Sequence, residues 1–303
     1  MRCSPTFFAA LLLTAPSIAA AADADPAAAA YAIHQFRPSH VGDAFDVDVS
    51  AEQHVHHVRR VVGQAEASQD VAWSVHLVGR CTVRAVDAKG AYTAVECRVS
   101  QLVTTLDGRS SPLLPVGALV EVTEPAGGPR FRRLDGPLPA GGERALALVL
   151  TAYPPGAPTA DELYPPGRPR TVGESWPLDV AQDRAFRRAA GAATVPPHVE
   201  GHATLVGRVD VAGRPCLLVK HVSDVDGPIP ATRPAGVTSA HRNELSVSTA
   251  TLPLDPAEPP VGLVVQATVD YDVHGTVPDS GAPFDEQTHV VTDTRSTRTP
   301  ARP

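Results

Sequence analysis

Two stretches of this chain are written almost alike: "VGDAFDVDV" from Val41 and "VGESWPLDV" from Val172. The likeness continues in order along the chain. "VRRVVG" at 58–63 has a counterpart in "FRRAAG" at 186–191, and "LVGR" stands at 77–80 and again at 205–208. "GAYTAVECRVS" at 90–100 then runs beside "GRPCLLVKHVS" at 213–223. Four blocks in one order point to an internal duplication, so the fold must be one that a chain can build twice. In each copy the glycine of VG[DE] suits a sharp turn with positive φ. The aromatic after it, Phe45 or Trp176, opens a strand.

The repeated unit reads as antiparallel β. The 31 prolines and 23 glycines break long helices and favour strands joined by turns. Phe45, Val47 and Val49 alternate with Asp46 and Asp48, which makes one face apolar and the other wet. Residues 71–106 form the clearest hairpin. Folding about Lys89 sets Cys81 opposite Cys97, Val83 opposite Val95 and Ala85 opposite Thr93, while Thr82, Arg84, Glu96 and Arg98 share the other face. One short helix is expected over 142–153, with Leu146, Val149, Leu150 and Tyr153 on one side and Pro154 ending it. Within the proline-rich stretch 154–170, "TADE" can cap a single helical turn. Strands are expected near 244–253, 262–274 and 286–297, and the closing "RTPARP" reads as a frayed tail.

The expected fold is therefore mainly β. Two related antiparallel units, 41–140 and 171–298, form curved sheets or a half-barrel. A helix and proline-rich connector spans 141–170, with a flexible lead-in at 23–40, loose until Tyr31, and a tail at 299–303. The units stand as two lobes or share one sheet.

Met1 and Arg2 precede "FFAALLLTAPSIAAAA", a basic start, an apolar run and small residues, the pattern of a secretory signal peptide over 1–22 cleaved after Ala22. Cys3 lies at the start of that segment rather than at the cleavage point, so no lipid anchor is expected. No later run approaches about 20 apolar residues, so no transmembrane segment is expected after cleavage. The address is periplasmic or secreted. Such a compartment is oxidising, and a Cys81–Cys97 bridge closing a loop of about 15 residues would contribute roughly 3 kcal/mol. Cys216 is left over.

The net charge of −7, without a lysine or arginine block, argues against a nucleic-acid partner. Among motifs, "HVHH" at 54–57 places His54 and His56 on one strand face, the start of a zinc or copper site. No nearby Cys, Asp or Glu has matching spacing, and a solvated cluster is the simpler reading. "DSGA" at 279–282 lacks the second carboxylate loop that an aspartic protease needs, and "HRNE" at 241–244 lacks the second histidine of a zinc-protease helix. No catalytic residue and no cofactor is assigned. Phe45 and Trp176 read first as strand anchors and second as cavity lining. Aligning the copies sets Val209 against Cys81 and Lys220 against Cys97. Lys220 then faces a ligand, or the second hairpin has slipped register, which is the preferred reading.

The signal-like start, the VG[DE]-x-[FW] strand openings, the long amphipathic hairpin and the proline-rich middle resemble secreted bacterial β-proteins with the half-barrel of the LolA-like lipoprotein carriers and LppX-like lipoproteins. That resemblance, over roughly 40–298, implies a curved antiparallel sheet around an apolar cavity that takes lipids. The expected function is a non-enzymatic binding protein for a lipid or other apolar molecule. The alternative is an envelope structural or protein-interaction module, and a metal-dependent or other hydrolase ranks last.

Overall fold

The computed structural model describes residues 29–125, 128–192, 195–229 and 236–300. The expected signal peptide lies outside them. All twelve strands belong to one open antiparallel sheet. They are β1 (Ala44–Val61), β2 (Ala67–Val86), β3 (Tyr92–Leu106), β4 (Arg109–Pro112), β5 (Leu119–Thr123), β6 (Arg130–Arg133), β7 (Ser175–Pro177), β8 (His198–Val211), β9 (Arg214–Pro228), β10 (Val237–Pro253), β11 (Gly262–Thr276) and β12 (Pro283–Pro300). Their order is β6-β5-β3-β2-β1-β12-β11-β10-β9-β8-β7, with β4 alongside β3. The first and last long strands are neighbours, paired from Phe45↔Pro300 to Val61↔Phe284. Thr299 and Pro300, expected in a tail, are thus strand residues, held because β1 offers them a partner edge. The two halves of the chain share one sheet through this seam.

Among the described residues three helices accompany the sheet, one more than the expected helix and capped turn: α1 (Gly142–Val149), α2 (Ala160–Leu163) and α3 (Val180–Ala189). α1 stops before the expected Tyr153 because Leu150 turns to an extended conformation and Tyr153 N–H donates to Tyr92 O. The "TADE" turn is α2, closed by a reciprocal capping box between Thr159 and Glu162. α3 falls where a second copy of the β1 strand was expected. Asp179 caps it by accepting from the N–H groups of Ala181 and Gln182, and Asp183 pairs with Arg187 one turn on. "FRRAAG" therefore continues a helix while "VRRVVG" ends a strand. Long β1 is paired on both sides, whereas β7 has only β8 beside it.

The β2–β3 hairpin pairs Cys81 with Cys97 and Val83 with Val95, and the two cysteines form a disulfide. A bulge after Val83 moves Ala85 opposite Ala94 rather than Thr93. Both VG[DE] turns dock alike. Gly42 (φ 97°) and Gly173 (φ 89°) donate to Val83 O and Leu205 O, which belong to residues that donate in return to Asp43 O and Glu174 O. This relation differs from the block alignment, in which Val83 falls on Val211, six residues past Leu205. An even shift keeps every side chain on its face. In this frame Phe45 corresponds to Trp176, Cys81 to Ala203 and Cys97 to His221. Gly79 and Gly201 correspond too. A Cβ at either would lie 2.7 or 2.4 Å from a neighbouring carbonyl oxygen, Arg98 O or Val222 O.

The core lies on one face of the sheet, called inner below. Val47, Val49, Val75, Leu77, Val95 and Val120 pack under Leu146 and Val149 of α1 at one end. At the other, Trp176, Ala203, Leu205, Leu217 and Val219 pack with Ile33. Residues 31–40 are not a loose lead-in. Tyr31 bridges to Arg170, Ile33 and Gln35 are buried, and the Asp161 carboxylate accepts from the backbone N–H groups of Gln35 (2.7 Å) and Phe36 (3.2 Å). This strap crosses the inner face.

Replacing both Cys81 and Cys97 with serine is expected to lower stability by about 3 kcal/mol. Urea unfolding without reductant, compared with the native chain, measures the difference.

Candidate functional site

The inner face of β11 and β12 carries no part of the packed clusters and is left for a cavity. Along β11 this face presents Leu263, Val265, Ala267 and Val269, and along β12 Thr292, Thr294, Ser296 and Arg298. The strap, the segment after α1 and helix α2 form the roof. Phe36 packs on Tyr153 with ring centroids 6.5 Å apart, and Tyr153 meets Phe186 of α3 edge-on at 5.8 Å. Lys89 in the β2–β3 turn reaches Glu162 of α2 at 2.7 Å and ties roof to sheet.

Three cavities adjoin under this roof, of about 510, 370 and 230 Å³. All three share Tyr92 and Arg298. The largest opens beneath the strap, beside Phe36, Phe45 and Pro260. The second runs toward Leu163, Tyr164, His221 and Leu252, and the third toward Val47, Val49, Leu148 and Val265. The walls are aliphatic and aromatic with a few hydroxyls, the composition of a small-molecule pocket.

Arg298 sits where the three meet. Its Nη2 donates to the Tyr92 hydroxyl at 2.9 Å, and its guanidinium lies 5.3 Å from the Phe45 ring centre and 5.5 Å from that of Tyr92. Across the second cavity, His221 bonds to Gln35 Oε1 through Nε2, and Ser248 Oγ lies 3.3 Å from its Nδ1. Gln35 Nε2 donates to Tyr164 O at 2.9 Å, and so does the Trp176 indole N–H, also at 2.9 Å. The open edge of His221 faces the cavity rather than bulk water. Burial lowers its pKa to about 4, so the ring is neutral and serves as donor at Nε2 and acceptor at Nδ1.

Of the residues expected to line a cavity, only Phe45 does so. Trp176 is 2% exposed inside the second packed cluster, because β8 and β9 close over its ring. Lys220 faces outward, opposite Thr204 and Thr249, because the register of β9 places Val219 and His221 inward instead. His54 and His56 share the outer face, but each has its own carboxylate: Glu52 at 3.0 Å and Asp70 at 2.7 Å. Among the described residues no group of three or more His, Cys, Asp or Glu side chains could hold a metal ion. The 279–282 segment is the turn between β11 and β12. Cys216 is fully buried, and burial raises its thiol pKa, so it is not a poised nucleophile.

Sequence reasoning missed Tyr92, Tyr153, His221 and Arg298. For Arg298 a signal exists: it is the one cation on an inward phase otherwise written Thr292, Thr294, Ser296.

No family model matches the chain, and no curated protein matches it. Among solved structures it is similar to the outer membrane protein OprG from Pseudomonas aeruginosa, at 7% identity, 88% of this chain, 100% of that chain and a TM-score of 0.17. It is also similar to OccK2 (OpdF) from Pseudomonas aeruginosa, at 9% identity, 87% and 100% coverage and a TM-score of 0.21. OmpT from Vibrio cholerae gives 9% identity, 85% and 100% coverage and a TM-score of 0.18. At these TM-scores the likeness carries no argument about fold or function. Among the described residues no helix is long and apolar enough to cross a membrane, which says nothing of crossing by strands.

The neutral His221 makes a pH prediction. Its folded pKa of about 4 lies below the value near 6.5 of an exposed histidine, so its contribution is fully present above pH 6.5. As pH falls from 6.5 through 4, the unfolded chain takes up a proton that the folded one refuses, and stability drops by roughly 1.4 kcal/mol per unit. Urea midpoints of the native chain should therefore fall more steeply over this range than those of His221→Gln. Parallel pH curves for the two proteins would rule out the buried neutral ring.

Proposed function

We propose that this chain is a non-enzymatic binding protein of the cell envelope, periplasmic or secreted, that holds a lipid or other apolar ligand between the inner face of its sheet and the helical roof. The observation that carries this reading is the contiguous, largely apolar cavity system of about 510, 370 and 230 Å³. The strap, the segment after α1 and helix α2 cover it. The resemblance to LolA-like and LppX-like carriers belongs to the same proposal, as do the signal peptide and the internal duplication. The like docking of the two VG[DE] turns supports the last of these.

The interaction-module alternative would use free sheet edges. Three short strands have a free side, β4, β6 and β7, of 4, 4 and 3 residues, and they carry four arginines and two prolines between them. Short, charged, proline-bearing edges resist strand addition, so the cavity reading is preferred.

The test is mass spectrometry of the protein exported to a periplasm and purified without detergent, under native and then denaturing conditions. The expected result is a species of lipid mass that leaves on denaturation. Val265→Trp, which fills the narrowest cavity, should lower its occupancy severalfold while the fold persists by circular dichroism. A protein that arrives empty and takes up no added 1-dodecanol would overturn the proposal.

A further inference from the structure

The cavities are apolar, yet they converge on a positive charge. On the same inner face, Arg242 pairs with Glu244 and Arg59 with Glu286. Arg298 has no such partner: its polar contact is the Tyr92 hydroxyl, and no carboxylate of the described residues pairs with it. The second and third cavities have no acidic residue in their walls, and His221 is neutral there. Arg298 is thus the one ionised group lining either of them. Only one of its several N–H donors is engaged within the protein. The rings of Phe45 and Tyr92 hold the guanidinium and leave those remaining donors to a ligand.

A cation in an apolar wall is costly unless something completes it. An outside anion would do so, and the adjoining cavities accept chains rather than small polar molecules. We propose that Arg298, with the Tyr92 hydroxyl beside it, binds the anionic head, carboxylate or phosphate, of an amphiphile whose hydrocarbon lies in the adjoining second or third cavity. This rests on the binding function proposed above and names the ligand class. A charge-assisted hydrogen bond in a half-buried site is strong enough to set headgroup preference about tenfold or more.

The test compares equilibrium binding of dodecanoate, 1-dodecanol, acetate and inorganic phosphate to the delipidated full chain by calorimetry. The expected result is dodecanoate binding about tenfold or more tighter than 1-dodecanol, with acetate and phosphate weaker still. Arg298→Gln should abolish the preference for dodecanoate over 1-dodecanol, and Arg298→Lys should keep most of it. Equal affinity of the native chain for dodecanoate and 1-dodecanol would overturn the headgroup role while leaving the carrier reading intact, and that comparison needs no variant. Acetate or phosphate binding as tightly as dodecanoate would make Arg298 a small-anion site and overturn the amphiphile. Failure of both twelve-carbon ligands to bind would overturn the carrier reading itself.

Discussion

The pairing of β1 with β12 is the constraint on which the rest of this structure depends. Each half of the chain is a meander, and a meander ends in an unsatisfied edge. Here the edge of the first strand receives the last one along nearly its whole length, from Phe45↔Pro300 to Val61↔Phe284. The backbone groups of both are satisfied by each other, and two small sheets become one large one. The seam also decides which side chains meet. Arg298 lies opposite Val47 and against the ring of Phe45, contacts that join residues some 250 apart in sequence.

Packing then divides the inner face. α1 covers the strands of the first half, and the strap with α2 and α3 covers those of the second. α1 reaches β12, but the inner face of β11 and β12 carries no part of the packed clusters. The cavity is the remainder between two cores, which explains its mixed walls: aliphatic from the first half, aromatic from the roof, hydroxyls and one guanidinium from the seam. The corresponding positions of the two hairpins also took different chemistry. Where Cys97 closes a disulfide onto Cys81, His221 stands over Ala203 and turns instead to Gln35 and Ser248. One hairpin is fastened within itself. The other is fastened to the strap, and so to the wall of the cavity.

Much of the architecture was legible because it is local. Alternation in β1, the register around Lys89 and the capping box at Thr159 each depend on residues within one turn or one hairpin. Reading failed where a competing partner decided the outcome. The path of the strap 31–40 is not written in its own text, since its order comes from Asp161 and from burial of Ile33. α3 occupies a block that is strand in the first half, because β7 has no second neighbour to extend it. Lys220 faces outward, since the block alignment sets it against Cys97 where the docked register sets His221, one residue on, and Trp176 is lost to the cavity because β8 and β9 close over its ring.

The sequence by itself determined that this is a mainly β chain of alternating strands and tight turns, with one hairpin ready for a disulfide. Period-two hydrophobicity and turn chemistry act over a few residues and need no partner to be read. Only the tertiary structure decided that the halves share a sheet, which aromatic packs and which lines a cavity, and that an arginine near the end of the chain stands at its centre. Those outcomes depend on which strand finds the free edge of β1, and sequence periodicity is the same whichever partner that is.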